Sequence, residues 1–161
     1  MTEQLSSTLE ELATAQVTLV IPCLAEFVGV ARLAILGVAN RLSFNYDEVE
    51  DVRLAVGEAC TNAIERAAEH RSFLTDRGEG PTDVPSLKIV STIERSTLTI
   101  EVIDTIPIQE DTAAAVSSSA DGIDYHKLGI VLMECLVDTV SFDAGSSGTT
   151  VKLVKTASQL G

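Results

Sequence analysis

Residues 46–68, YDEVEDVRLAVGEACTNAIERAA, decide how the chain is read. Val49, Val52, Ala55, Val56, Ala59, Ala63 and Ala67 recur three or four apart, the period of an α-helix, and predict one apolar stripe along about six turns. Glu58 and Asn62 flank that stripe four residues apart, so they stack on one face of the helix. The small residues around them, Ala59, Cys60, Thr61 and Ala63, would let a ligand come close to the backbone. By pattern alone the pair is also readable as the solvated edge of an amphipathic helix.

Upstream, VTLVI at 17–21 is a β-branched run stopped by Pro22 and predicts a strand. Ala25 to Leu42 has helical period, with Phe27, Val30, Ala31, Ala34, Ile35 and Val38 as its buried stripe and Arg32 as its central cation. Ser43 to Asp47 turns the chain, with Asp47 as N-cap and Glu50 completing a capping box. Downstream, His70 to Pro85 contains RGEGPTDVP and predicts a surface loop. Leu87–Ile93 and Leu98–Ile103 predict strands joined by a hairpin turn at Glu94, Arg95 and Ser96, with Asp104 ending the second. Gln109 to Tyr125 is rich in Ala, Ser and Asp and too long for an ordinary connection, which predicts a lid. A helix over Lys127–Val137 and a hairpin of Thr139–Phe142 and Thr149–Val154 around AGSSG complete the chain. This order is compatible with an α/β arrangement that lays helices on one face of a mixed sheet.

At 161 residues, 45% apolar and 22% charged, the chain suits one soluble globular domain. Residues 17–155 form that domain in this reading, with a polar tail at 1–16 and a short one at 156–161. Four Phe, two Tyr and no Trp predict an aliphatic core. A net charge of −13 with only eleven Lys and Arg argues against direct nucleic-acid binding; it favours basic partners or, as is commoner, only maintains solubility. Cys23, Cys60 and Cys135 lack CxxC spacing and read as small core residues. The most apolar stretch is interrupted by Pro22, Glu26 and Arg32, so no membrane segment is expected and the chain reads as cytoplasmic.

EACTNA, Glu58 to Ala63, resembles the N box of the GHKL ATPases, specifically the anti-sigma-factor serine kinases of the RsbW and SpoIIAB type. The resemblance runs from about Val17 to Lys155. It implies the Bergerat two-layer α/β sandwich, a mostly antiparallel sheet with helices on one face. It also implies ATP and Mg²⁺ as cofactors, Glu58 as catalytic base and Asn62 as the Mg²⁺ ligand. Asp104 matches the family's adenine-reading Asp. Where the family continues DxGxG this chain has DTIPI, so Ile106 and Ile108 stand in place of glycines that permit positive φ and close backbone approach. The second glycine box, GxGL in the family, here reads KLGI, with Gly129 kept and Lys127 replacing the first glycine. LMECLVDTV resembles the family's LMExLMDxV, and Gly148, Thr149 and Thr150 match its GTxV ending.

Three cations have open roles. Lys127 can contact a phosphate as a point charge or be an exposed lid lysine. Arg66, four residues past Asn62, can meet nucleotide phosphates or pair at the surface with Glu65 or Glu69. Arg32 lies in a region the family uses to hold its sigma factor, and its alternative is a solvated helix residue. The resemblance implies an anti-sigma factor acting in transcription regulation and stress response. Such a protein sequesters an alternative sigma factor, phosphorylates an anti-anti-sigma (STAS-type) antagonist on Ser or Thr, and forms a homodimer. The competing reading is a sigma-sequestering module that has lost kinase competence, because two glycine boxes are altered while the helices are intact.

Overall fold

A computed structural model describes residues 1–4, 14–80, 83–108 and 125–158. Its elements are β1 (Thr14–Pro22), a 3-10 turn (Ala25–Phe27), α1 (Val28–Ala39), α2 (Tyr46–Asp76), β2 (Ser86–Glu94), β3 (Thr97–Asp104), α3 (Tyr125–Leu136), β4 (Thr139–Gly145) and β5 (Gly148–Thr156). The strands form one sheet in the order β1-β2-β3-β5-β4. Every pairing is antiparallel, so the mostly antiparallel sheet expected from sequence is antiparallel throughout the described residues. The lid expected at 109–125 falls almost wholly outside those residues.

The sheet alternates as its period of two requires. Leu98, Ile100, Val102 and Asp104 of β3 are buried, and so are Thr149, Val151 and Leu153 opposite them on β5. The helices cover this inner face: α1 packs on β1, β2 and α2, while α2 packs on β3, β5 and α3. All seven residues of the stripe expected on α2 are buried. On α1 the buried set is Val28, Ala31, Ile35, Val38 and Ala39, and Val30 is exposed, contrary to its expected place in the stripe. Val28, Ala31, Ile35 and Val38 are spaced three and four apart, so they share one face, and Val30 falls off it.

Both ends of α2 differ from expectation. Its N-cap is Asn45, whose side chain accepts from Glu48 N at 2.9 Å while Glu48 Oε2 accepts from Asn45 N at 2.8 Å. The capping box is thus two residues earlier than Asp47 and Glu50, and Glu50 instead pairs with Arg53 one turn on. The second oxygen of Glu48 accepts from Ser158 N at 2.7 Å, tying the C-terminal segment to this helix end. At the other end α2 continues through His70–Asp76, where the sequence predicts a surface loop. Nothing in EHRSFLTD breaks a helix, and the stop comes at Gly78 (φ +75°), where Glu79 N donates to Leu74 O and Gly78 N to Thr75 O in a Schellman closure. Cys23 and Cys60 are core residues as expected, but Cys135 is exposed on α3.

Candidate active site

Glu58, Asn62 and Arg66 succeed one another at four-residue spacing and form one line along α2. Asn62 is buried and Glu58 half-buried. What covers them is α3. A Cβ built on Gly129 would lie 2.5 Å from Glu58 Oε1 and 3.0 Å from Asn62 Nδ2, so the bare backbone of α3 sits directly on this carboxylate and amide. A side chain at 129 would have to displace Glu58, so the constraint here is space rather than backbone angle. Lys127, one half-turn earlier, is exposed.

The next station on the same line is Arg66, which turns inward rather than pairing with Glu65 or Glu69. Its Nη2 donates to Asp104 Oδ2 at 2.6 Å, joining residues 38 apart in sequence. The Asp104 side chain is 1% exposed and that of Arg66 21%. Asp104 Oδ1 accepts from Ile106 N at 3.0 Å, so both carboxylate oxygens are engaged. Asp104 reaches this place because the inward alternation of β3 continues to its last residue, where its partner across the ladder is Thr149. The Thr149 hydroxyl is buried and has no protein partner, and neither has Arg66 Nε. Beside them Gly148 holds φ +129°, and a Cβ there would overlap the carbonyl of Asp104.

The segment after Asp104 follows its own path. Ile106 is 4% exposed and belongs to the core, whereas Ile108 is 42% exposed. Neither has positive φ; among the described non-glycine residues Arg95, in the β2–β3 turn, alone does. Isoleucines therefore fit where glycines would serve a left-handed loop. Thr105, Ile106 and Pro107 instead form one wall of an open cleft of about 210 Å³ whose opposite wall is Ala67, His70, Arg71 and Leu74 of α2.

Arg32 projects from α1 across α2. A Cβ on Gly57 would come within 2.7 Å of Arg32 Nη2, and Arg32 Nε is buried without a partner. The guanidinium thus lies over the backbone next to Glu58, a seat that the sequence signalled only through the glycine at 57. Nearby, burial pushes the Cys60 thiol up to about 12, with Cys23 adding to the shift and Arg32 opposing it. Burial likewise raises Cys23, reinforced by Asp104 and opposed by Arg66 and Arg71, which places this thiol in the field of the Arg66–Asp104 pair.

The site thus has two ends. At one, Gly129 of α3 closes over Glu58 and Asn62, whose oxygens are the donor types a hard metal ion takes. At the other, the buried acid Asp104 already holds an arginine, with the unpartnered Thr149 hydroxyl opposite it on β5. Among the described residues no cluster of three or more His, Cys, Asp or Glu stands ready to bind a metal by itself.

Residues 21–155 match the histidine kinase-like ATPase domain family, and fold and site define a domain of that class. The serine-protein kinase RsbW of Bacillus pumilus is 36% identical over 146 residues, spanning 84% of this chain and 82% of its own. Its counterparts in Bacillus velezensis and Bacillus subtilis are 33% and 32% identical, each over 84% of this chain and 81% of theirs. The crystal structure of the RsbU and RsbW domains of Rv1364c from Mycobacterium tuberculosis superposes with a TM-score of 0.57 over 88% of this chain. That match spans 32% of the longer chain and, at 16% identity, speaks to fold alone. The chain belongs to the histidine kinase-like ATPase domain family, and within it to the RsbW-type serine-protein kinases. No described helix is long and apolar enough to cross a membrane.

Proposed function

We propose that this protein is an anti-sigma factor that sequesters an alternative sigma factor and phosphorylates an anti-anti-sigma, STAS-type antagonist on Ser or Thr. Mg-ATP supplies the phosphoryl group. The observation that carries the reading is the seating of Gly129 against Glu58 and Asn62, which brings unsubstituted backbone to a carboxylate and an amide in one buried corner. In that corner Glu58 accepts the proton of the incoming hydroxyl, and Asn62 is the residue that would hold Mg²⁺. Thr149 offers its free hydroxyl to the nucleotide and Lys127 a charge at the rim of α3. Asp104 keeps the adenine end, subject to its pairing with Arg66. Arg32, laid over Gly57 beside the catalytic corner, presents its cation to the protein partner. A cytoplasmic homodimer completes the proposal.

The test is transfer of radiolabelled phosphate from ATP to the antagonist. Asn62→Ala should abolish transfer with the fold intact, because the metal offsets charge developing on the transferred group. Glu58→Gln should slow it about 10²–10⁴-fold, the range for a lost general base. Unaltered phosphorylation in Asn62→Ala would sink the assignment.

A second reading, a sequestering module without kinase activity, is favoured by one observation: the acid expected to read adenine is already paired with Arg66. Calorimetric titration with Mg-ATP separates the two.

A further inference from the structure

The geometry points to Arg66 as the residue that sets nucleotide affinity in this chain: a latch that occupies Asp104 and must leave before a purine amino group can be received. The inference rests on the nucleotide-site reading above. Asp104 has two oxygens, one accepting from Arg66 Nη2 and the other from the backbone of Ile106, and its side chain is 1% exposed. With so little of the carboxylate exposed, a donor from outside reaches it by displacing a neighbour. A neutral exocyclic amine offers a weaker contact than a guanidinium, whose hydrogen bond to a carboxylate is charge-assisted. In the observed arrangement the base therefore competes with an internal ligand.

Of the two partners, Arg66 is the one that can move. Asp104 is fixed at the end of a strand inside the sheet, with Ile106 N closing on it. Arg66 is carried on a flexible stem and is 21% exposed, so it has a path to water. The closed state also leaves two polar atoms unsatisfied, Arg66 Nε and the Thr149 hydroxyl. Burying a polar group without a partner costs stability. Swinging Arg66 outward rehydrates Nε, and a ligand entering beside Asp104 gives Thr149 a partner. Both effects offset the loss of the ion pair, so the latch can open when nucleotide arrives.

The experiment is calorimetric titration of the full chain with Mg-ADP, which binds without turnover, in wild type, Arg66→Ala and Arg66→Gln. Arg66→Ala should bind about 10–100-fold more tightly than wild type, the span of one hydrogen bond to a charged group, with Arg66→Gln between them. Circular dichroism establishes that each variant is folded. In wild type with ¹⁵N-labelled arginine, the Arg66 Nε–H resonance should be protected without ligand and exchange rapidly when Mg-ADP is added. If wild type binds and both variants bind equally or more weakly, the latch is wrong and the nucleotide site stands. If folded wild type and variants alike fail to bind, both the latch and the nucleotide site are wrong.

Discussion

Gly129 of α3 lies so close to Glu58 of α2 that a methyl group on it would come within 2.5 Å of the Glu58 carboxylate. Two helices separated in sequence by two strands thus meet at the position proposed for the catalytic base. The contact is with the far end of a flexible side chain, so Gly129→Ala should leave the thermal midpoint nearly unchanged while displacing Glu58. A misplacement of about 1 Å can cost on the order of 10²-fold in rate. Phosphoryl-transfer kinetics alongside a thermal melt check this; a large loss of stability would mean that Gly129 serves packing rather than the site.

Gly148 should behave in the opposite way. Its φ of +129° is nearly closed to other residues, and what a side chain would meet is the backbone of Asp104 and Thr105, which cannot swing aside. Gly148→Ala should therefore cost at least the 1–3 kcal/mol of a strained backbone position, seen as a drop of about 2–4 °C per kcal/mol in the thermal midpoint. A variant as stable as wild type would show that the β4–β5 turn can be rebuilt.

The two isoleucines after Asp104 should separate sharply. Ile106→Ala removes a core side chain and should cost about 2–5 kcal/mol in urea unfolding. Ile108→Ala, at an exposed position, should change stability by less than about 0.5 kcal/mol. Restoring glycine at 106 is for the same reason expected to destabilise the fold, and equal effects at the two sites would contradict the described path of this segment.

Glu48 makes a pH-dependent contribution. Burial alone would raise its carboxyl, but hydrogen bonds from Ser158 and Asn45, aided by Lys155, outweigh burial and hold it below its ordinary value of 4.5. A carboxyl lowered by folding stabilises the native state above the unfolded value and loses that contribution as pH falls through the folded one. Glu48→Gln should therefore be less stable than wild type at pH 7, by about 1 kcal/mol for a lost capping interaction, and the gap should close below pH 4.5. Parallel denaturant curves at both pH values measure it; a gap that persists in acid would assign the effect to packing.

The elements were legible where their cause is local. The stripe on α2 follows from helical period, and the strands from β-branched runs between turn residues, so both appear in the sequence before any tertiary contact exists. Element ends were less legible because competing signals lie close together. Asn45 and Asp47 can each cap a helix, and the choice fell to the carboxylate that also reaches Ser158 from the far end of the chain. Cys135 and Val30 have apolar neighbours in sequence but project away from the core, a matter of helix phase that short patterns leave open.

Glu58 and Asn62 could be singled out from the chain alone because four residues along a helix always place two side chains on one face. The sequence by itself determined that pair, the α/β order of elements and the acid at the end of β3. The tertiary structure decided that Gly129 closes over the pair, that Arg32 rests on Gly57, and that Arg66 turns to Asp104 rather than to Glu65 or Glu69. A neighbour one helical turn away offers an arginine only a solvent-screened contact, and the composition of the helix cannot show that a better one exists. The buried carboxylate became available only when the sheet folded beneath α2, where low exposure strengthens the attraction and strand register puts the two groups 2.6 Å apart.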